Sequence, residues 1–488
     1  MSGPWSRRRL HFVGVGGAGM SGYARAAHAL GALLSGSDRA DSPYLESLRA
    51  DGVLEASIGH DAANVPSGED VEVVYSSAVP PENPERVAAR ERGLPERPRA
   101  ELLGELSALK RTIAVAGTHG KTTTASMLVH ILQGAGMEPG WLIGAQVGDG
   151  LPNARWGGGE WLVVEADESD RSMLSLDVEV AVLTNVELDH HATFRSLLEL
   201  HDAFRAFLAG AHTGVVVWDR PELVALAREA RACEGHGPEL PGGSREAGGL
   251  SAGAHSAGGL ASTGPGAAGA IEIVPYDVPE PLLDGGGSTF VWRGAQVRVS
   301  VPGAHNALNA AGALEAARLA GVEPESARAG LAGFHGAGRR FQLLGRSAAG
   351  ALVYDDYAHH PTEVAATLSA ARTLGPRRLV AVFQPHLYSR TALLAKEFGW
   401  ALALADVIVV LDVYPARERA EDHPGVSGLL IAQAAADAAG GRPVYWLPTF
   451  SDAEPVLLGL LGENDLCVAM GAGNVDALGR ALLQKMDD

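Results

Sequence analysis

The chain has 488 residues, 46% of them hydrophobic and 20% charged, and its formal net charge is −19. This length suits two to four globular domains. The acidic balance, with no basic run beyond Arg7 to Arg9, argues against nucleic-acid binding. No apolar run approaches the roughly 18 residues that a membrane-spanning helix needs, so we expect a cytoplasmic protein without a membrane partner. Cys233 and Cys467 lie far apart in the sequence and predict neither a disulfide framework nor a zinc site.

A glycine-rich turn follows the first apolar run. Leu10 to Val13 predict a strand, Gly14-Val15-Gly16-Gly17-Ala18-Gly19 has the G-x-G-x-x-G spacing, and a helical pattern runs from Met20 to Leu33. Such a unit binds phosphate, because free amides and the helix dipole favour an anion. Asp38 follows about 20 residues on, where an acidic side chain can bind a ribose. The pattern predicts a phosphorylated ligand, and alone it would also fit an NAD-dependent oxidoreductase.

Another short strand of this region is predicted at Val71 to Tyr75, and it ends in Ser76 and Ser77. Hydroxyl residues at the carboxyl end of a strand lie where open α/β sheets bind ligands. We therefore add Ser76, Ser77 and Ser37 to the predicted ligand-binding residues. A proline-rich stretch from Pro80 to Pro98 follows, and the first domain is predicted to cover residues 1–107.

The segment Gly117-Thr118-His119-Gly120-Lys121-Thr122-Thr123 has the features of a phosphate-binding loop. It lies between an apolar run and a helix-compatible segment, which is the setting that such a loop requires. The spacing is shortened, because Val115 stands where the G-x-x-x-x-G-K-[ST] pattern has its first glycine. Lys121 can reach β- and γ-phosphate oxygens, and the Thr122 hydroxyl can bind Mg²⁺. We predict a site for ATP and Mg²⁺; the alternative is a glycine-rich turn with a surface lysine.

Two further apolar runs end in polar side chains, as buried parallel strands do. The run from Trp161 to Val164 ends in Glu165 and Asp167, and the run from Val180 to Leu183 precedes His190. Mg²⁺ takes oxygen ligands, so a carboxylate is the expected ligand after the first of these strands. A histidine such as His190 is, on sequence alone, more often a hydrogen-bonded loop residue than a ligand.

The rest of the middle region contains an insertion and two polar motifs. Residues 234 to 270 are rich in Gly, Ala and Ser, and we interpret them as a flexible insertion without a catalytic role. Asn306 and Asn309, in the first turns of an alanine-rich helix, can pair with an adenine edge; N-capping by Asn306 is the alternative. Arg340 ends a glycine-flanked arginine pair that suits phosphate, or else belongs to a solvated linker at the domain boundary.

The last part of the chain again alternates apolar runs with helical segments. Four of these runs end in polar residues, which the topology of a doubly wound sheet gathers at its ligand edge. The candidates are Asp356, Tyr357, His359, His386 and Arg390. We therefore predict an α/β fold of three tandem domains: a Rossmann-like domain (1–107), a P-loop ATPase-like domain (108–340) and a second Rossmann-like domain (341–488).

Together these motifs resemble the Mur ligase family. The matching segments are Gly117 to Thr123, Glu165 to Asp170, Asp189-His190, His305 to Asn309, His11 to Met20, Asp355 to Glu363 and Phe383 to His386. The resemblance implies an ATP-dependent ligase of peptidoglycan synthesis, which joins L-alanine to the carboxylate of UDP-N-acetylmuramate. The γ-phosphoryl group would first give an acyl phosphate, which the alanine amine then attacks.

The resemblance also implies a role for each group of residues. The turn from Gly14 to Gly19, with Asp38 and the nearby serines, would hold the UDP part. The phosphate-loop lysine and threonine would hold ATP and a first Mg²⁺. Glu165 and His190 would bind a second Mg²⁺ between the γ-phosphate and the carboxylate.

In the same way, Asn306 and Asn309 would lie beside the adenine, and Arg340 and Asp356 would close over the nucleotide from the third domain. Tyr357, His359, His386 and Arg390 would orient L-alanine. Leu387 stands where many members of the family have arginine. Recognition of the alanine carboxylate is therefore expected to rest on Arg390.

Three alternatives compete with this interpretation. A murein-peptide recycling ligase would join a tripeptide to the same nucleotide sugar, but Gln384-Pro385-His386 favours alanine. An NAD-dependent oxidoreductase would explain Gly14 to Gly19 but not the second phosphate loop. A non-catalytic nucleotide switch would not need the polar edge of the third domain.

Overall fold

The computed structural model describes residues 3–148, 150–189, 193–232 and 271–483. In these residues, alternating strands and helices build three large sheets in succession, with helices packed against them. The predicted α/β class is therefore confirmed. No helix in the described part of the chain is long and apolar enough to cross a membrane. The insertion predicted at 234–270 lies outside the described residues.

The first sheet carries the glycine-rich turn. Its elements are β1 (Arg9–Val13), α1 (Ala18–Ala29), β2 (Leu33–Asp38), α2 (Pro43–Ala50), β3 (Ala56–Ile58), β4 (Val71–Tyr75), α3 (Pro84–Glu91), β5 (Glu96–Pro98) and α4 (Arg99–Ser107). The strands are parallel, in the order β3-β2-β1-β4-β5. The helix predicted from Met20 to Leu33 is shorter than expected, because Gly31 adopts a φ of 94° and Leu33 starts β2. The turn thus joins the central strand to α1 at the carboxyl edge of the sheet.

The second sheet carries the phosphate loop on its central strand. Its elements are β6 (Arg111–Ala116), α5 (Lys121–Gly134), β7 (Gly140–Leu142), β8 (Ala154–Arg155), β9 (Trp161–Glu165), β10 (Val178–Leu183), α6 (Leu197–Ala209), β11 (Ala211–Trp218), α7 (Pro221–Ala232) and β12 (Glu272–Tyr276). The order is β12-β11-β10-β6-β9-β7-β8, with the β8 edge antiparallel. β6 is buried over its last five residues, as its apolar sequence predicts.

A small antiparallel sheet and two helices complete the middle region. They are β13 (Leu282–Asp284), β14 (Gly287–Trp292), β15 (Ala295–Val299), α8 (Ala304–Leu319) and α9 (Pro324–Leu331). Apolar side chains of α5, α8 and β14 share one hydrophobic core with those of the central strands. This packing places the first turn of α8 beside the phosphate loop.

The third sheet belongs to the C-terminal part. Its elements are β16 (Gln342–Arg346), β17 (Leu352–Asp356), α10 (Pro361–Arg372), β18 (Leu379–Phe383), α11 (Tyr388–Leu402), β19 (Val407–Val410), α12 (Gly428–Ala438), β20 (Val444–Trp446), α13 (Phe450–Leu460), β21 (Leu466–Met470) and α14 (Val475–Ala481). The order is β16-β17-β21-β18-β19-β20, and all pairs are parallel except β16 with β17. The carboxyl ends of β17, β18, β19 and β21 therefore share one edge.

The connection between α9 and β16 has an unusual backbone. Arg339 and Phe341 adopt φ values of 56° and 49°, in the left-handed region. The Arg339 guanidinium is held at the ligand edge of the third sheet, where it donates to Asp355 (3.0 Å) and to the carbonyls of Gly471 (2.9 Å) and Gly473 (3.0 Å). The predicted boundaries at 107/108 and 340/341 fall in connections between sheets and stay predictions.

Candidate active site

The phosphate loop is a tight turn that only glycine can make at two positions. Gly117 and Gly120 have φ values of 129° and 81°. A Cβ at Gly117 would collide with the Thr184 hydroxyl, and one at Gly120 would lie 2.5 Å from Asn309 Oδ1. A residue outside the loop also holds it in place, because the backbone amide of His119 donates to Asn185 Oδ1 at 2.8 Å. The turn therefore directs the amides at the start of α5 towards one point, as a phosphate site requires.

Lys121 is a partly buried cation held above this loop. Its Nζ donates to the carbonyls of Gly117 (2.7 Å) and Thr118 (3.2 Å) and lies 2.8 Å from Glu168 Oε2. Burial on its own would lower the pKa of Lys121, but the nearby carboxylates, Glu168 foremost, raise it above its ordinary value. The ammonium is therefore charged where the helix N-terminus can receive a phosphate. Glu168 was not predicted as its partner.

Thr122 and Glu165 present a set of hard oxygen donors. Thr122 Oγ1 lies 3.0 and 3.1 Å from the two carboxylate oxygens of Glu165, and Glu165 Oε2 accepts the Gly144 amide at 2.8 Å. Arg340 Nη2 approaches Thr122 Oγ1 at 3.3 Å from the C-terminal side. A hydroxyl and a carboxylate beside a phosphate loop suit Mg²⁺, so these residues fit the predicted metal. His190, the other predicted ligand, lies outside the described residues.

A cavity of about 210 Å³ lies between the phosphate loop, α8 and the third domain. Asn306 and Asn309 line it, together with Trp218, Arg340 and Asp356. Gly303 is the N-cap of α8, and the side-chain Nδ2 of Asn306 instead donates to the Pro302 carbonyl at 2.7 Å. The capping alternative for Asn306 is therefore wrong. Contact of these asparagines with adenine stays a prediction.

The predicted amino-acid residues of the third domain lie close together. Arg390 is 3% exposed, and its Nε and Nη2 donate to Asp189 Oδ1 at 3.2 and 2.7 Å. Its Nη1 lies 3.2 Å from His386 Nδ1. The His359 ring is 5.8 Å from that of His386 and 5.3 Å from that of Tyr357. The pairing of Arg390 with Asp189, across the domain boundary, was not predicted.

The two histidines of this group are neutral. Burial lowers the pKa of His359 to about 4 and that of His386 to about 3, and for His386 the nearby His359 and Arg390 add to the effect. His359 Nδ1 lies 2.9 Å from the Tyr357 carbonyl, which can only accept, so Nδ1 donates and Nε2 carries the lone pair. The site therefore combines one fixed cation with two neutral imidazoles.

Asp356 shapes the turn that carries Arg340. Its two carboxylate oxygens accept the amides of Phe341 (2.8 Å) and Ala358 (2.7 Å). Burial raises its pKa to about 6, against the opposing charge of Arg340. Whether Arg340 and Asp356 close over a nucleotide stays a prediction, although both line the cavity between the domains.

Glu363 connects the phosphate loop to the third domain and was not predicted. Its Oε1 lies 3.1 Å from His119 Nδ1, while its Oε2 accepts the amides of His359 (3.0 Å) and His360 (3.3 Å). The signal that could have found it is a capping box, since His360 caps α10 and Glu363 stands three residues later. Burial opposes ionisation of Glu363, but the adjacent His359 and His119 hold its pKa well below its ordinary value.

The glycine turn of the first domain is closed by its acidic partner. Asp38 Oδ2 accepts the Gly16 amide at 2.7 Å. Ser76 lies beside Gly14, because a Cβ added at Gly14 would be 3.2 Å from Ser76 Cβ, and Ser77 is exposed. The Ser37 side chain is fully buried and its hydroxyl donates to Glu85 at 2.7 Å. The place of Ser37 in the nucleotide-sugar site stays a prediction.

Arg99 connects this turn to the acidic strand end of the middle domain. Its Nε donates to Asp170 at 2.6 Å and its Nη2 approaches Asp167 at 3.4 Å. A Cβ at Gly19 would lie 2.8 Å from Arg99 Nη1, so the guanidinium sits against the start of α1. The three domains therefore meet around one region, with the glycine turn on one side and the third-domain histidines on the other.

Three sequence profiles of one family match the chain in order. The profile described as Mur ligase family, catalytic domain, matches residues 9–111, the Mur ligase middle domain matches 115–234, and the Mur ligase, glutamate ligase domain, matches 339–473. The chain belongs to the Mur ligase family. The family resemblance inferred from its motifs is thereby confirmed.

Individual relatives match this Mur ligase over nearly the whole length of both chains. It is 42% identical to the UDP-N-acetylmuramate–L-alanine ligase of Mycobacterium sp. (strain JLS), over 98% of this chain and 95% of the relative. Among solved structures, it resembles the UDP-N-acetylmuramate–alanine ligase MurC of Thermotoga maritima, with a TM-score of 0.76 and 24% identity over 97% of this chain and 98% of that one. It also resembles a murein peptide ligase of Psychrobacter arcticus 273-4, with a TM-score of 0.67 and 23% identity over 99% and 100%. At these identities the two structures show that the fold is shared.

Proposed function

We propose that this Mur ligase joins L-alanine to the carboxylate of UDP-N-acetylmuramate, with ATP as the energy source, in the synthesis of a peptidoglycan precursor. The observation that carries the proposal is the 42% identity, over 98% of the chain, to an enzyme of that name. The site supports it, since a phosphate loop, an acidic strand end and a cation with two neutral imidazoles converge between three domains. We place the enzyme in the cytoplasm, with its water-soluble substrates.

The phosphate loop and α8 would bind the nucleotide. The ATP phosphates would lie on the amides at the start of α5, where Lys121 meets the β- and γ-phosphate oxygens. The adenine would enter the cavity lined by Asn306 and Asn309. Thr122 and Glu165 would hold Mg²⁺, which supplies positive charge between two anions that otherwise repel each other.

The nucleotide sugar would approach from the first domain. Its diphosphate would lie at the glycine turn, and its carboxylate would reach towards the Glu165 end of β9. A carboxylate oxygen then attacks the γ-phosphorus, the bond from that phosphorus to the leaving ADP oxygen breaks, and an acyl phosphate forms. Lys121 and Arg340 stabilise the charge that develops on the transferring group.

L-alanine would bind at the third domain. Arg390 would pair with its carboxylate, and the Nε2 lone pair of neutral His359 can accept a hydrogen bond from its amino group. The deprotonated amine attacks the acyl carbon, and the tetrahedral intermediate collapses with loss of phosphate. Closure of the third domain excludes water, which would otherwise hydrolyse the acyl phosphate.

The test is phosphate release from ATP by the purified full chain, with UDP-N-acetylmuramate and one amino acid at a time. We expect release to require both UDP-N-acetylmuramate and Mg²⁺, and to be fastest with L-alanine. A parallel reaction supplies the tripeptide that a murein-peptide ligase would use. Release with the tripeptide but not with L-alanine would favour the recycling function, and release independent of UDP-N-acetylmuramate would contradict both.

A further inference from the structure

A second group of metal-type ligands lies between the phosphate loop and the third domain. It consists of His119 in the loop, Glu187 after β10 and His360 before α10, and it shares no residue with the Thr122–Glu165 pair. One ligand atom from each lies within 4.8 Å of the other two. Glu187 Oε2 is 3.3 Å from His119 Nε2 and 3.7 Å from His360 Nδ1.

These separations are close to what a tetrahedral ion requires. Bonds of about 2.0–2.1 Å to nitrogen and oxygen put neighbouring ligand atoms roughly 3.3–3.4 Å apart. Two of the three separations are therefore nearly met. The third, between the two histidines, is at most 4.8 Å, and an ion would have to draw these two side chains closer together.

Hydrogen bonds hold the three side chains in place. His119 Nδ1 faces the Glu363 carboxylate at 3.1 Å, which directs Nε2 towards Glu187. Burial opposes protonation of His119, but Glu187 and Glu363 raise its pKa to about 9, so an ion at Nε2 would take the place of a proton. The Thr362 hydroxyl donates to Glu187 at 2.7 Å. The Thr362 amide donates to the lone pair of His360 Nδ1 at 3.4 Å, so this nitrogen is unprotonated, and an ion bound there would replace that hydrogen bond. Carboxylate partners on histidine ligands, and hydrogen bonds to carboxylate ligands, orient the donors and strengthen binding.

We propose that His119, Glu187 and His360 bind a divalent transition ion of the Zn²⁺ or Co²⁺ type, which links the third domain to the phosphate-loop domain. Two imidazoles and one carboxylate suit such ions, whereas Mg²⁺ prefers oxygen donors alone. Glu187 is 40% exposed, so an ion can enter from solvent and keep a fourth ligand there.

Such an ion would inhibit the enzyme by holding two of its domains together. His119 and Glu187 belong to the middle domain and His360 to the third, so a bound ion resists separation of the two. Domain opening is needed for products to leave, and Zn²⁺ should therefore inhibit turnover. This consequence rests on the proposed function, but the binding site itself does not.

The test measures ion binding directly. Zn²⁺ is titrated calorimetrically into the full chain in excess Mg²⁺, and Co²⁺ is followed by its visible absorption, which is intense in tetrahedral sites. We expect one ion per chain and at least a tenfold weaker affinity in His360→Asn. Asparagine is a good N-cap, so this variant keeps the start of α10. Glu187→Gln should weaken binding as well.

The matched control is His212→Asn, since His212 is an exposed histidine that pairs with Asp177 far from the cluster. It should bind the ion like the unaltered chain. The absence of stoichiometric binding, or equal affinity in His360→Asn, would overturn the proposal. Binding that depends on His360 in a chain without ligase activity would keep this site and remove the proposed function.

Discussion

Arg390 offers the sharpest test of how the third domain recognises its substrate. Its guanidinium is 3% exposed, donates twice to Asp189 and has a third nitrogen 3.2 Å from His386. A hydrogen bond between charged groups contributes about 1.5–3 kcal/mol, which corresponds to roughly 10- to 150-fold in affinity. We therefore expect Arg390→Ala to raise KM for L-alanine at least about tenfold. KM for UDP-N-acetylmuramate should change much less, because we propose that its phosphates bind at the first domain.

The ion pair with Asp189 complicates this experiment and also supplies its control. Removing one partner of a buried pair costs about 3–5 kcal/mol, and this pair crosses the domain boundary, so Arg390→Ala also weakens docking of the third domain. Asp189→Asn weakens the same contact but leaves the guanidinium in place. If Arg390 binds the carboxylate of L-alanine, the KM for L-alanine should rise in Arg390→Ala and not in Asp189→Asn.

Steady-state kinetics with each substrate varied at saturating levels of the other two checks this expectation. Arg372→Ala, which removes a partly exposed pair with Asp406 on the same domain, should leave all three KM values unchanged. The same kinetic defect in Arg390→Ala and Asp189→Asn would mean that Arg390 serves domain docking alone. An unchanged KM for alanine with a raised KM for UDP-N-acetylmuramate would assign Arg390 to the nucleotide sugar.

Three further predictions concern the other domains. Lys121→Ala should keep the circular-dichroism spectrum and lower phosphate release by at least about 10²–10³-fold, since its ammonium meets charge that develops during transfer; near-normal release would refute the phosphate-loop assignment. Deleting residues 236 to 268, outside the described part of the chain, should leave activity and Tm nearly unchanged, because residues of this composition can bury little apolar surface. A large loss of activity in a folded deletion protein would contradict this. Burial opposes ionisation of Glu85, but hydrogen bonds from His11, Asn64 and Ser37 lower its pKa from 4.5 to about 2. The ionised carboxylate therefore stabilises the fold by about 3 kcal/mol above pH 4.5, and this stabilisation is lost as the pH falls towards 2. Urea unfolding should show Glu85→Gln less stable than the unaltered chain at neutral pH, with a difference that narrows in that window; a difference independent of pH would refute the charge argument.

The phosphate loop could be predicted because its signals are contiguous. Strand, glycine turn, Lys121 and helix follow one another, and the geometry that needs glycine at 117 and 120 is local. The alternation of apolar runs likewise predicted the α/β class, since buried parallel strands and their helices leave separate marks on the sequence. What these signals cannot give is the partner of each side chain.

The partners depend on contacts between distant segments. Glu363 meets His119 across 244 residues, and no sequence period relates the two. Ser37 shows the same limit: it lies one residue before the end of β2, at the ligand edge, and its buried hydroxyl donates to Glu85 on α3. A position at the carboxyl edge of a sheet therefore does not fix where the side chain points. The helix packed against the strand can supply its hydrogen-bond partner instead.

Two neighbouring arginines at the end of the middle domain contact different parts of the molecule, which bears on when ATP can be hydrolysed. Arg339 is fastened to the loop of Gly471 and Gly473, whereas Arg340 reaches across to Thr122. Because the two are adjacent in the chain, a rotation of the third domain that carried Arg339 with it would also move Arg340 away from Thr122. Under the proposed function, an enzyme with its third domain open would lack Arg340 at the phosphate loop, and hydrolysis of ATP would then wait until that domain closes.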